Sequence, residues 1–189
     1  HTNIVKYLIK KGADVNATSE EVASPLHNAA AVGHEDVVKL LIENGANVNA
    51  KDTGLLAPLH YAAMGHKGIV KVLISNEAKV NAKTKDGITP LISCAIAPPD
   101  KLISSGINLD IKTINTNKEY IIRLRLSNGA DINAIISSGN YKGMTSVDAA
   151  NHSNNPKIAT LLQSHGGKTA KELKRLKQRP IDKLLLDVV

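Results

Sequence analysis

The sequence predicts an all-α solenoid of stacked helix-turn-helix units joined by β-hairpin-like fingers, with irregular units in the middle. Three observations predict it. One phrase recurs four times, as KYLIKKGADVNA (6–17), KLLIENGANVNA (39–50), KVLISNEAKVNA (71–82) and RLRLSNGADINA (123–134). A second phrase recurs in fixed order with it, as SPLHNAAAVGHEDVV (24–38), APLHYAAMGHKGIV (57–70), TPLISCAIAPPDK (89–101) and MTSVDAANHSNNPKIA (144–159). The period is 33 residues from Gly12 to Gly45 and 32 from Gly45 to Glu77, the signature of a repeat architecture. The third observation is the palette: 42% of the 189 residues are hydrophobic, yet there are only four Tyr and no Phe or Trp. Leu, Ile, Val and Ala alone suit many thin layers better than one thick core.

Each element follows from local chemistry. Ser24 before Pro25, and Thr89 before Pro90, read as a helix N-cap followed by Pro at the first helical position, where its missing N–H removes no bond. The short first helix carries Ala29, Ala30, Ala62 and Ala63, small enough for close helix approach, and Gly33 and Gly65 turn the chain. In the second helix Val37, Val38, Leu41 and Ile42, and then Ile69, Val70, Leu73 and Ile74, make one apolar stripe. Gly12, Gly45, Gly106, Gly129 and Gly166 stand where that helix must stop in a left-handed residue. One such unit cannot bury its own stripe, so stability requires stacking.

The pattern then falters. Glu77 takes the place of a stop glycine, so a non-glycine residue is left-handed there at about 1 kcal/mol or the turn is remodelled. Ala57 sits at an N-cap, a loss of about 1 kcal/mol more, which predicts a soft spot in this unit. Pro98 and Pro99 forbid continuous helix, leaving at most a turn around Lys101 to Ser105 as a second helix. The 23 residues from Gly106 to Gly129 leave room for one helix, 118–127. Arg125 falls where other copies have Leu8, Leu41, Leu73 and Leu162, which predicts an open face or a side chain reaching water. The last finger, IISSGNYKGM, is four residues longer than the others. The short units read either as genuine divergence or as lost pieces of coding sequence.

These phrases resemble the ankyrin repeat family, whose unit carries T-P-L-H-x-A-A, a G-H turn, a V-V-x-L-L-L helix and G-A-D-V-N-A. The resemblance covers residue 1 to about 167. It divides the chain into the second half of a repeat (1–17), repeats at 18–50 and 51–82, a shortened repeat (83–111), a degenerate one (112–134), a repeat with an extended finger (135–167) and a basic C-terminal capping helix and tail (168–189). It implies a non-enzymatic protein-protein interaction scaffold that binds a protein partner through fingers and concave face. The variable slots between scaffold residues are then the expected contacts: Glu20, Glu21, Thr53, Leu55, Lys85 and Asp86 on the fingers, and Asn28, Val32, Tyr61 and Met64 on the first helices. The alternative is an ankyrin-array fragment of a larger protein, as in latrotoxin-like toxins, bacterial effectors and channels, because His1 falls within a unit. A cytoplasmic location is the default expectation, with a secreted or membrane-associated one for a toxin-like or channel-like parent.

Chemistry finds little support in the residues. His27 and His34, and again His60 and His66, recur with the repeat as scaffold residues do, and they lack the three or four converging ligands of a metal site. The first kind is expected to bond backbone near the finger and the second to open the second helix. SHGGKTAKEL lacks the G-x-x-x-x-G-K-[ST] spacing of a phosphate loop, and no G-x-S-x-G nucleophile motif occurs. No catalytic residue, metal or cofactor is expected. The single Cys94 lies in an apolar stretch and reads as a small buried hydrophobe. No apolar run approaches the roughly 18 residues of a membrane-spanning helix. The net charge of +7 favours acidic partners. It concentrates in the tail, where Lys168, Lys171, Lys174, Arg175, Lys177 and Arg179 flank Ala170, Leu173 and Leu176 on a helix that Pro180 is expected to end or kink. Beyond a solvated cap, that helix suits an acidic protein or an anionic membrane surface. Nucleic acid is not expected, since no aromatic residues interleave with the charges.

Overall fold

The structure, a computed structural model, describes residues 2–18, 23–63, 65–96 and 111–186, with side chains in the last stretch over 117–178. The described residues contain helices α1 (Thr2–Lys10), α2 (Pro25–Val32), α3 (Glu35–Glu43), α4 (Pro58–Ala62), α5 (Lys67–Ser75), α6 (Pro90–Ala95), α7 (Ile111–Ser127), α8 (Ser146–His152), α9 (Pro156–Ser164) and α10 (Ala170–Leu186), and no strand. They stack in two rows. Helices α2, α4, α6 and α8 each pack on the next, and α1, α3, α5, α7 and α9 do the same behind them.

Repetition sets the core. Leu26, Leu59, Leu91 and Val147 occupy one place in successive first helices, and all are buried. Val38, Val70, Ile122 and Ala159 fill the matching place in the second row. Ser24, Ala57, Thr89 and Thr145 hold extended backbone before each first helix, and the Thr89 and Thr145 hydroxyls accept from the N–H three residues on. Ala57 has no hydroxyl to offer, but its own N–H is covered by His60 Nδ1 at 3.0 Å. Glu77 keeps the ordinary turn by adopting φ 64°, and Ala78 N donates to Leu73 O at 3.0 Å as Ala46 N does to Leu41 O at 2.9 Å.

In the middle of the chain, described helices from two of the expected repeats come together. Helices α6 and α7 pack on each other as the two halves of one layer, between α4/α5 and α8/α9. The side-chain ladder gives the same count. Asn16 Nδ2 donates to Gly45 O, Asn49 Nδ2 to Glu77 O and Asn81 Nδ2 to Gly129 O, so the turn gripped from the layer of Asn81 is the one at Gly129. The described helices of the expected repeats 83–111 and 112–134, α6 and α7, thus share one layer, and residues 97–110 lie outside the described residues. The second helix of that layer begins at Ile111, well before the expected residue 118. The turn anticipated around Lys101 to Ser105 lies outside the described residues.

Arg125 does not reach water: it is fully buried in the stripe with Ile121 and Ile122. Its Nη2 donates to Leu59 O at 3.0 Å, while Nε and Nη1 have no partner. Burial pulls the guanidinium down to about 10. Lys118, two helical turns earlier and also buried, donates Nζ to Ile96 O at 3.1 Å, where α6 leaves a carbonyl uncapped. Of the two outcomes expected at Pro180, the helix does not end there: α10 continues to Leu186. An interior proline removes one N–H donor and crowds the carbonyl four residues earlier, at a cost the helix bears. The helix is attached at its start, where Ala170 N donates to Asp148 Oδ2 at 2.8 Å and Lys168 N to Asn133 Oδ1 at 2.9 Å.

Candidate interaction surface

The histidines are rivets between layers. Ser24 N donates to His27 Nδ1 at 3.1 Å, which leaves the proton on Nε2 to reach Leu56 O of the next finger at 3.1 Å. His60 repeats this with Ala57 N and with Ile88 O at 3.2 Å. Burial pushes the His60 imidazole down to about 4 and lowers His27 as well, so both are neutral bonding groups at ordinary pH. His34 and His66 precede α3 and α5, and His66 Nε2 donates back to Ala31 O at 3.1 Å beside Gly33. A Cβ on Gly33 would meet that ring at 2.6 Å. In the last layer Asp148 takes the place of His60, accepting from Thr145 N at 2.9 Å and from Ala170 N.

The fingers are tight turns that stack. Asp52 N donates to Leu56 O and Thr84 N to Ile88 O, closing each loop on itself. Lys85 N reaches Gly54 O at 2.9 Å, and Ser137 N reaches Asp86 O at 2.8 Å, so three successive fingers touch through backbone. The lengthened finger closes by Ile136 N to Met144 O and Gly143 N to Ile136 O. Its extra length lets Ser138 Oγ donate to Asp86 Oδ1 at 2.6 Å.

Among the expected contact residues, Asn28, Val32, Thr53, Leu55 and Lys85 are exposed. Asn28 and Val32 line an open groove of about 560 Å3 between α1 and α2, walled by Val5, Ala29, Val37 and Leu41. Tyr61 and Asp86 are half-buried, and their polar atoms are engaged within the scaffold. Tyr61 donates its hydroxyl to Asp52 Oδ2 at 2.7 Å and stands edge-on to His27, while Asp86 holds the neighbouring finger. Glu20, Glu21 and Met64 lie outside the described residues. Sequence reasoning passed over exposed Lys51, Lys79 and Lys83, and the exposed Ile135, because they sit in or beside the repeated V-N-A phrase rather than in variable slots.

Cys94 is fully buried against α7, and burial raises its thiol above the ordinary range. Among the described residues no group of three or more His, Cys, Asp and Glu side chains is placed to hold a metal ion. No described helix is long and apolar enough to cross a membrane.

Two rows of helices joined by stacked finger loops define an all-α repeat solenoid built to present a surface. Residues 1–52 match the family model for ankyrin repeats (3 copies), and residues 56–85 match that for the ankyrin repeat. Over residues 1–85 the chain is thus built of ankyrin repeats. No curated protein matches it. Ankyrin repeats in general mediate protein-protein interaction and are typically non-enzymatic binding modules.

Proposed function

We propose that the chain is a non-enzymatic scaffold that binds a protein partner across its fingers and the exposed side of its first-helix row. One contrast supports this. Asn28, Val32, Thr53, Leu55 and Lys85 are exposed and make no side-chain hydrogen bond to another described residue, whereas the repeated residues Leu26, His27, Leu59 and His60 are buried. Side chains without a structural duty on a rigid repeated frame are what a binding surface requires.

Replacing the five together, with Leu55→Gly and Ala at the others, should leave helix content and thermal midpoint intact. Affinity capture from cell extract should then lose the proteins retained by the native chain. Retention of all of them would sink the assignment. The exposed Lys171, Lys174, Arg175 and Lys177 of α10 support a second contact, with an acidic protein or an anionic membrane surface. Co-sedimentation with anionic vesicles, with and without residues 168–189, separates these two.

A further inference from the structure

We propose that the fingers at 51–56 and 83–88 take an acidic peptide segment of a protein partner bearing one apolar side chain, with Leu55 as the apolar contact and Lys51, Lys79, Lys83 and Lys85 as its charged surround. The proposal rests on the protein-binding reading above and names the chemistry of the partner.

Leu55 is the first observation. It occupies the place that Gly87 fills in the next finger, and it is held at φ 61° where Gly87 has φ 80°. A leucine there carries both the steric penalty of the left-handed region and an apolar side chain left 43% exposed. Glycine would remove both, so the folded chain alone gives no reason for leucine. Strain of this kind, kept where a small residue would relieve it, concentrates at ligand contacts.

Charge supplies the second, independent observation. The carboxylates of these two fingers are turned to internal work. Asp52 Oδ1 accepts from Gly54 N at 2.9 Å and Leu56 N at 2.8 Å, its Oδ2 takes the Tyr61 hydroxyl, and Asp86 Oδ1 takes Ser138. The lysines are turned outward: Lys51, Lys79, Lys83 and Lys85 are all exposed. Lys51 Nζ donates to Leu55 O at 2.9 Å, which pins a positive charge beside the exposed leucine. Partial burial, and then repulsion from Lys79 at the far end of the same repeat, lower the Lys51 ammonium from its ordinary value. The bond from Lys85 N to Gly54 O joins both fingers into one surface.

An exposed leucine beside the Lys51 ammonium, which Lys79 repels, and next to a finger bearing exposed Lys83 and Lys85 is complementary to a carboxylate-rich segment with one hydrophobic side chain. Nucleic acid fits less well, because leucine offers no face for base stacking.

The test pans the whole chain against short random peptides displayed on phage. Enriched sequences should carry Asp or Glu around a Leu, Ile, Met or Phe. Leu55→Gly should weaken the enriched peptides by about tenfold or more while leaving the thermal midpoint equal or higher, since a buried leucine side chain accounts for a change of that order. The pair Lys83→Glu and Lys85→Glu should weaken them similarly and flatten the salt dependence of binding. Asn28→Ala with Val32→Ser reports on the first-helix part of the surface, and Lys71→Ala on the second-helix row should leave the peptides unchanged. Failure to enrich any peptide, enrichment without acidic residues, indifference to Leu55→Gly, or tighter binding of a single-stranded oligonucleotide that competes for the same lysines would each overturn the proposal. If the peptides respond to the Asn28 and Val32 variant instead, the fingers are the wrong site and the protein-binding reading stands. If they respond to neither set, both readings fall.

Discussion

Replacing Arg125 with methionine should make the protein more stable. The guanidinium lies in a stripe whose counterparts are Leu41, Leu73 and Leu162, all buried. It receives one bond in exchange for complete burial, that from Nη2 to Leu59 O, and two of its nitrogens have none. The fall of its pKa from 12.5 to about 10 corresponds to about 3 kcal/mol of penalty on the charged form in the folded state. Each unpaired buried donor adds a loss of about 1–3 kcal/mol that overlaps with the same desolvation and is not summed with it. Little is lost in return, for Leu59 O keeps the helix bond from Ala63 N at 3.2 Å. Methionine is close in length, unbranched and able to fill an irregular gap.

The expected gain is therefore about 2–3 kcal/mol, within the range seen when buried charges give way to well-packed apolar groups. For a chain of this size it raises the thermal midpoint by roughly 5–10 °C. Urea unfolding followed by far-ultraviolet circular dichroism measures it, provided the slope is unchanged. A pH arm checks the cause. The folded pKa lies below the unfolded one, so the unfolded chain holds this proton more tightly, and the penalty is full below about 10 and relieved as pH rises above it. The variant should lack that alkaline relief. A midpoint that is unchanged or lower in Arg125→Met would refute the reasoning, and would mean that the guanidinium is answered by a partner.

Three further predictions test the frame. His60, held neutral by burial at about 4, binds its proton less readily folded than unfolded, so stability should fall as pH drops from about 6.5 towards 4, by up to about 3 kcal/mol; His60→Gln should flatten this acid limb in a pH series of urea midpoints, and an unaltered limb would assign it elsewhere. Glu77→Gly should raise stability by about 0.5 kcal/mol, relief of the left-handed penalty less the freedom glycine adds to the unfolded chain; thermal melting should show a small upward shift, and a fall would mean the Glu77 side chain is supporting the turn. Asn81→Ala removes bonds to Gly129 O at 2.8 Å and from Asp131 N at 2.7 Å, and should destabilise by about 1–2 kcal/mol, as Asn49→Ala should; a loss at Asn49 with none at Asn81 would place another layer between residues 82 and 129.

The layers at residues 24–82 were legible because every layer must offer its neighbour the same contacts. Leu26 and Leu59, or Val38 and Val70, are alike in sequence for the same reason that they are buried in one column. The middle was harder to read because SSGINL looks like a stop phrase, and Gly106 invites counting as a layer end. A stop glycine is defined physically by the asparagine that grips its carbonyl from the layer before, and that partner is distant in sequence. One signal was nonetheless present. TPLISCA is a first helix without a second, and RLRLSNGADINA is a second helix without a first, so the two halves complete each other. Burial of Arg125 follows from that merger, since a helix closed between α5 and α9 has no open face for a long side chain to follow to water.

The contact surface was legible only by subtraction, and subtraction fails where a variable position has a structural task of its own. Tyr61 varies against Asn28 because Asp52, nine residues earlier, offers it a carboxylate. Asp86 varies because the lengthened last finger brings Ser138 to it. Left-handed backbone at non-glycine residues separates the remaining positions better. Glu77 and Leu55 bear the same conformational penalty, at φ 64° and φ 61°. At Glu77 the side chain is polar and exposed, so hydration and a small loss of stability account for it. At Leu55 the side chain is apolar and 43% exposed on left-handed backbone, so two terms that glycine would remove are present together, beside an ammonium bonded to the backbone carbonyl. Gly87 has a packing reason of its own, since a Cβ there would meet Ser137 Oγ at 2.6 Å, but no such neighbour accounts for an exposed leucine on left-handed backbone at Leu55. That side chain therefore directs the search for a partner to the tip of the 51–56 finger.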